Sequence, residues 1–378
     1  MRFPSLKIFT VILLGFISVQ SRAFNFEAPS KSCHIATQEI ATQLEKIYGH
    51  AQAAILVSYK NETLMKWVSG EHITTDTPFL LGSVSKSFNA ALTLRLIEEN
   101  LIDLDQIILN ELPKYFVRNL NPSWGKITLR NLLNHTSGIQ DFLNRTDVNE
   151  QPKTDEYLSK RHSFKEILRT VPAPLFFEPR TNYRYSNTNY WLIAHIIKNH
   201  TGRSFSESLK REIFRPLNLT HSGVLNKANS KIKGSTSVYP SNLNGMGNVY
   251  SSASDLLKFI SALDQDDFLN NKSLQQMFSP DPLCSPGENC TSYGFGFRLG
   301  KIDLNGIDLA LHEGHLKNVS SLIAKASKIK LNISLVSDLG GINNEELTHH
   351  LIEILLDTGC VVYDDHQEKF PVVPSSAH

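Results

Sequence analysis

The chain has 378 residues, of which 41% are hydrophobic and 20% charged, with a formal net charge of +1. Such a balance describes a globular protein long enough to bury a sizeable core, and it carries no basic excess to suggest a nucleic-acid partner. Four cysteines are present, Cys33, Cys284, Cys290 and Cys360; in an exported chain an even number favours disulfides.

Arg2 and Lys7 precede an apolar run from Ile8 to Val19, and Ser21-Arg22-Ala23 follows. Positive, apolar and small-residue segments in that order predict a signal peptide over residues 1–23, and hence an exported protein, periplasmic or secreted. The apolar run is shorter than the ~20 residues that span a bilayer, and no comparable run follows, so no membrane span is expected in the mature chain. Ile40, Leu44 and Ile47 recur at helical spacing and predict a helix over 34–48 that ends at Gly49. Ala53–Tyr59 and Thr63–Val68, on either side of Lys60-Asn61-Glu62, read as a β-hairpin.

Between Ser83 and Leu101 the pattern changes. Phe88, Ala90, Ala91, Leu92, Leu94, Leu96 and Ile97 cover most of a helix circumference, which predicts a buried central helix. Ser83 and Lys86 stand three apart at its start and so share a face. A hydroxyl beside an amine at a helix N-terminus suits nucleophilic catalysis, because the lysine can take the serine proton and free backbone N–H groups favour negative charge. From about 100 to 285 the pattern is mainly helical, with candidates at Asn189–Asn199 and Asp255–Leu263 and a capping box at Ser204–Glu207. Strand patterns return at Ile307–His312, Ser320–Ala326 and Leu331–Ser337, before a last helix through Leu347, Leu351, Ile354 and Leu355 with Asn343 or Asn344 as its cap.

The fold class that follows is α+β. An antiparallel sheet of about five strands is built from both chain ends (34–80 and 290–360) and flanked by the terminal helices, with a mainly helical lobe (81–289) inserted between. Cys284 and Cys290 share a short Pro/Gly loop and can close on each other, which would pair Cys33 with Cys360 if both terminal helices cover one sheet face. Residues 363–378 read as a polar tail.

Two further clusters carry chemistry. Tyr185 and Asn187, within Tyr183-Arg184-Tyr185-Ser186-Asn187, offer a phenol for proton transfer and an amide for a substrate. His312-Glu313-Gly314-His315 ends a strand, where a histidine can hold a cation or donor over a site and Gly314 permits close backbone approach. The last cluster narrowly misses the zinc motif H-E-x-x-H, because its histidines are three apart and not on a helix. No metal or other cofactor is expected. No G-x-S-x-G elbow is present, which disfavours an α/β-hydrolase.

Ser-x-x-Lys, Tyr-x-Asn and His-x-Gly in that order resemble the serine hydrolases of the penicillin-binding-protein and class C β-lactamase superfamily. Leu132–Gly138 is similar to that family's LLxHTSG turn. Phe177–Thr181 resembles F-x-P-G-T, Pro216–Thr220 resembles PLGM-T, Tyr250–Asp255 resembles xST-x-x-D and Tyr293–Gly296 resembles YGxG. The resemblance implies one catalytic domain over residues 24–362. It also implies Ser83 as nucleophile, Lys86 as general base, Tyr185 as proton shuttle, substrate contacts at Asn187, His312 and Gly314, and an oxyanion hole from the N–H groups of Ser83 and His315. The expected activity is hydrolysis through an acyl-enzyme, of D-alanyl-D-alanine carboxypeptidase type, on a small molecule or a peptidoglycan-type peptide. An esterase, a weak class C-type β-lactamase and a non-catalytic binding protein are the alternatives. Arg180 and Asn218 stand where the family has glycine, and Asn318 lies near another such place. Glu313 replaces a threonine that binds the substrate carboxylate. At ~4 Å it would repel that carboxylate by up to about 4 kcal/mol at an effective dielectric near 20, unless strand alternation turns it away.

Overall fold

The computed structural model describes residues 31–118, 120, 122–143, 159–235, 239–264, 267–280, 292–302 and 306–362. The predicted signal peptide, the tail and the Cys284–Cys290 loop lie outside the described residues. Among the described residues no helix is long and apolar enough to cross a membrane.

The strands used below are β1 (Ala53–Tyr59), β2 (Glu62–Ser69), β3 (Phe79–Leu80), β4 (Gly223–Val224), β5 (Val249–Ser251), β6 (Ser292–Tyr293), β7 (Arg298–Ile302), β8 (Ile307–Leu316), β9 (Val319–Ala326) and β10 (Leu331–Ser337). The helices are α1 (Lys31–Tyr48), α2 (Ser85–Glu98), α3 (Asn187–Thr201), α4 (Ala253–Ala262) and α5 (Asn344–Asp357). Both chain ends contribute to one antiparallel sheet in the order β2-β1-β10-β9-β8-β7-β6. It has seven strands where about five were expected, because β6 and β7 add an edge whose polar residues give no strong alternation. β3, β5 and β4 form a second, small sheet.

Alternation along the strands divides the core in two. Ile55, Val57, Leu309, Leu311, Leu322 and Leu335 pack against Ile40, Leu44, Leu351 and Leu355 of α1 and α5. On the other face Ala54, Leu56, Ala310, Ile323 and Val336 join the helical lobe, in a core that includes Phe88, Phe259 and Trp191. Burying a side chain of that size contributes about 1.5–3 kcal/mol, so each face is a substantial store of stability. The helix starts follow from capping. Asn343 caps α5 by accepting the Glu346 N–H at 3.1 Å, and Ser204 forms its predicted capping box with Glu207. Arg180 and Asn218 adopt the left-handed φ values of +70° and +51°, so they hold the glycine conformation without the glycine. Lys317 and Asn318 have no positive φ; the β8–β9 turn therefore needs no glycine.

Because α1 and α5 lie on the same sheet face, Cys33 and Cys360 meet, and they are joined by a disulfide that closes a separation of 327 residues. Cross-linking so long a loop removes chain entropy from the unfolded state. Cys33→Ser with Cys360→Ser is expected to lower stability by about 2–5 kcal/mol in denaturant titration, while acylation rates at 25 °C stay near normal.

Candidate active site

Gly82–Val84 forms one 3-10 turn leading into α2. Residues three apart nearly eclipse in such a turn, and Lys86 Nζ lies 3.0 Å from Ser83 Oγ. The expected helix therefore begins two residues later than Ser83, after a 3-10 turn that still leaves hydroxyl and amine on one face. α2 is buried all round, and its polar side chains are tied to neighbours. Ser85 Oγ accepts the Val249 N–H at 3.0 Å, Ser87 Oγ donates to Gly296 O at 2.6 Å, and Asn89 Nδ2 donates to Tyr190 O at 3.0 Å and Gly245 O at 2.9 Å. Lys86 is fully buried. Its amine donates to Met246 O at 2.9 Å. Burial lowers its pKa from 10.5 to about 7, against a smaller upward pull from Asp141.

Tyr185 is hydrogen-bonded to Ser83, and burial pushes its phenol well above the ordinary value. The ring lies beneath Lys86 Nζ, 5.0 Å from centroid to nitrogen. His135 locks this segment in place, a residue that the motif comparison placed in a turn without a role. Its carbonyl accepts the Arg184 N–H at 3.1 Å and its Nδ1 accepts the Ser186 N–H at 3.2 Å, so one residue grips both neighbours of Tyr185. Asn189 Nδ2 lies 3.1 Å from the same nitrogen. The proton of the neutral ring therefore sits on Nε2, and burial holds the ring neutral. His135 itself adopts φ +61°, a conformation uncommon for a side chain with a Cβ.

Asn187 is the first residue of α3. Asp141 Oδ2 accepts both its backbone N–H at 3.1 Å and its Nδ2–H at 2.8 Å. One of the two amide hydrogens is thus committed to the protein, which fixes the side chain's orientation. Asp141 gave no motif signal, lying three residues past the recognised turn.

The third cluster departs from expectation. His312 is buried, and both ring nitrogens are engaged, Nε2 with Tyr293 Oη at 3.0 Å and Nδ1 with Glu313 O at 2.7 Å. The carbonyl can only accept, so Nδ1 carries the proton and Nε2 accepts from the phenol. Burial, with the Lys86 charge nearby, lowers the His312 pKa to about 3. His312 is therefore neither a cation nor a free donor over the site. Gly314 also serves another purpose than ligand approach. A Cβ there would lie 1.8 Å from Leu81 O and 2.6 Å from Ser321 Oγ, while Ser321 Oγ donates to Leu81 O at 2.7 Å. The glycine lets β8 press against the chain leading into Ser83. At the same contact Gly82, with φ +53°, brings its α-carbon so close that a Cβ would stand 3.1 Å from His315 N. β7 pairs with β8 only as far as Leu311, which leaves the strand edge from residue 312 to 316 facing the Gly82–Val84 turn. The Glu313 side chain lies on the other face of β8 from His312, among groups at the strand's end. Its Oε2 accepts from Arg298 at 2.7 Å and its Oε1 from the Glu345 N–H at 3.1 Å.

Comparison with known proteins agrees with this geometry. A family model described as Beta-lactamase matches residues 37–326. Penicillin-binding protein 4* of Bacillus subtilis is 29% identical over 278 residues, covering 67% of this chain and 59% of that protein. The chain thus spans less than two thirds of that relative's length. Among solved structures, a D-stereospecific amidohydrolase from Streptomyces superposes with a TM-score of 0.70 at 24% identity, covering 85% of this chain and 97% of its own. A D-amino acid amidase from Ochrobactrum anthropi SV3 gives 0.70 at 24% identity, covering 86% and 99%. The Ser83–Lys86 turn, the Tyr185 segment and the β8 edge thus converge within a fold shared with these proteins, and the chain belongs to the β-lactamase family, in the serine-hydrolase superfamily of the penicillin-binding proteins.

Proposed function

We propose that this protein is a serine hydrolase that forms an acyl-enzyme at Ser83 and hydrolyses the amide bond of D-configured peptides or amides. That class includes the D-alanyl-D-alanine peptidase chemistry expected from the sequence. The observation that carries the proposal is the 3.0 Å contact between Ser83 Oγ and a buried Lys86 amine whose pKa is about 7. At neutral pH about half of such amines are unprotonated and able to act as a base, which an exposed lysine is not.

In this mechanism Lys86 Nζ takes the Ser83 proton as Oγ bonds to the substrate carbonyl carbon. The N–H groups of Ser83 and His315 hold the resulting oxyanion, each donor contributing about 3 kcal/mol. Tyr185 remains a protonated phenol at neutral pH, because burial raises its pKa. It therefore acts as donor to the leaving nitrogen as the C–N bond breaks, and is reprotonated from Lys86. Water then attacks the ester carbonyl, its proton passes to the same pair, and the acid leaves with Ser83 restored. Asn187, held by Asp141, orients the acyl side.

The test is intact-mass analysis after incubation with a fluorescent penicillin and with a panel of D-amino amides, p-nitrophenyl esters and D-Ala-D-Ala peptides. One acyl group on the peptide containing Ser83 is expected. The acylation rate should climb through an apparent pKa near 7 as Lys86 loses its proton. An adduct on another residue, or a rate flat from pH 6 to 8, would refute the assignment.

A further inference from the structure

Four groups meet at the end of β8. Arg298 Nη2 binds Glu313 Oε2 at 2.7 Å and Nη1 binds Glu345 Oε2 at 2.8 Å. His315 Nε2 approaches Glu313 Oε1 at 3.5 Å, and the Glu345 N–H, at the start of α5, donates to that same oxygen at 3.1 Å. The Glu313 side chain is only 9% exposed, so its partners define its position. One guanidinium thus serves two carboxylates. The cluster also stands close to the reacting groups. Glu313 and His315 flank Gly314, His315 N lies against Gly82, and the Arg298 charge acts on both Tyr185 and His312.

Resting on the hydrolase reading above, we infer that Glu313 is a specificity-determining residue: by occupying Arg298 with an internal carboxylate it selects substrates that are uncharged on the leaving-group side, amides and esters, over those ending in a free carboxylate. The physical reasons are two. A carboxylate in the active site needs a cation or several converging donors to offset its lost hydration. Here the guanidinium beside the site is already neutralised, and the His312 ring has committed both nitrogens. An incoming carboxylate would also be the third to share the single guanidinium that already serves Glu313 and Glu345. An amide isostere meets neither penalty. Glu313 acts through Arg298 and through the local potential, and takes no part in bond making.

The test uses matched substrates that differ in one charge, a D-Ala-D-Ala peptide acid and its C-terminal amide, assayed on the full chain. For the wild-type protein kcat/KM is expected to favour the amide by at least about tenfold, with the acid's value rising with ionic strength and the amide's not. Glu313→Gln and Glu313→Thr should shrink that preference about tenfold or reverse it, chiefly through KM of the acid. Should either variant fail to fold, Glu345→Gln removes one negative charge at the more exposed helix end and should shift the ratio the same way by a smaller factor. A wild-type preference for the acid, or a ratio unmoved in folded variants, would overturn the inference. The absence of any Ser83-dependent turnover, on either substrate, would instead overturn the hydrolase reading on which it rests.

Discussion

Ser83→Ala is expected to abolish labelling by fluorescent penicillin and to reduce amide hydrolysis by about 10³-fold or more, since no other hydroxyl stands at Lys86 Nζ among the described contacts. Its companion, Lys86→Met, is expected to match that loss and so to be non-additive with it, as for groups that act as one unit. The lysine variant has a second signature that separates chemistry from damage. Folding lowers the Lys86 pKa from 10.5 to about 7, a difference of roughly 5 kcal/mol between protonation states at 1.36 kcal/mol per unit. Between those two pKa values the unfolded chain binds the extra proton, so wild-type stability rises with pH from about 7 to 10.5. Below pH 7 the native state bears the whole cost of a buried ammonium. Methionine removes that cost and loses the hydrogen bond to Met246 O, worth about 1–3 kcal/mol. Thermal melts should therefore show Lys86→Met more stable than wild type at pH 6, with the advantage shrinking towards pH 10. Parallel curves across that range would mean that Lys86 is not buried as a base.

Gly314→Ala is expected to cost about 3 kcal/mol or more and to cut acylation by at least about 10²-fold. The new Cβ would lie 1.8 Å from Leu81 O, a backbone atom that cannot swing aside as a side-chain end can. Leu81 is fully buried and immediately precedes the Gly82–Val84 turn, so any displacement moves Ser83 relative to the β8 edge. A misplacement of about 1 Å is enough for a loss of that size. Gly300→Ala serves as the control: it lies in β7, and nothing stands within 4 Å of the added Cβ. It should change stability by no more than about 0.5 kcal/mol, measured by the same melts. A wild-type-like Gly314→Ala would show that β8 does not set the geometry of the turn.

Residues that carry a local signal were legible in advance. The apolar-rich runs at Ala53–Tyr59 and Leu331–Ser337 are strands with those same bounds, and the apolar circumference of α2 announced its burial. Glycine-like positions gave a weaker signal, because Arg180 and Asn218 hold the turn conformation with unfamiliar side chains. His135 and Asp141 were illegible as supports of Tyr185 and Asn187. Each acts across about fifty residues of chain, through one carbonyl, one ring nitrogen and one carboxylate oxygen, and no periodicity records such contacts.

By itself the sequence determined the α+β class, the face that Ser83 and Lys86 share, and the order in which hydroxyl, phenol and strand edge follow along the chain. Those properties depend on residues a few positions apart, where helical and pleated geometry fix which side chains are neighbours. Only the tertiary structure decided the chemical state of the parts. Burial lowers the Lys86 pKa to about 7 and raises that of Tyr185. Tyr293 and the Glu313 carbonyl take up both nitrogens of His312, and Arg298 takes up the Glu313 carboxylate. Protonation and hydrogen-bond roles are set by desolvation and by partners distant in sequence, and both exist only once the chain has closed around the site.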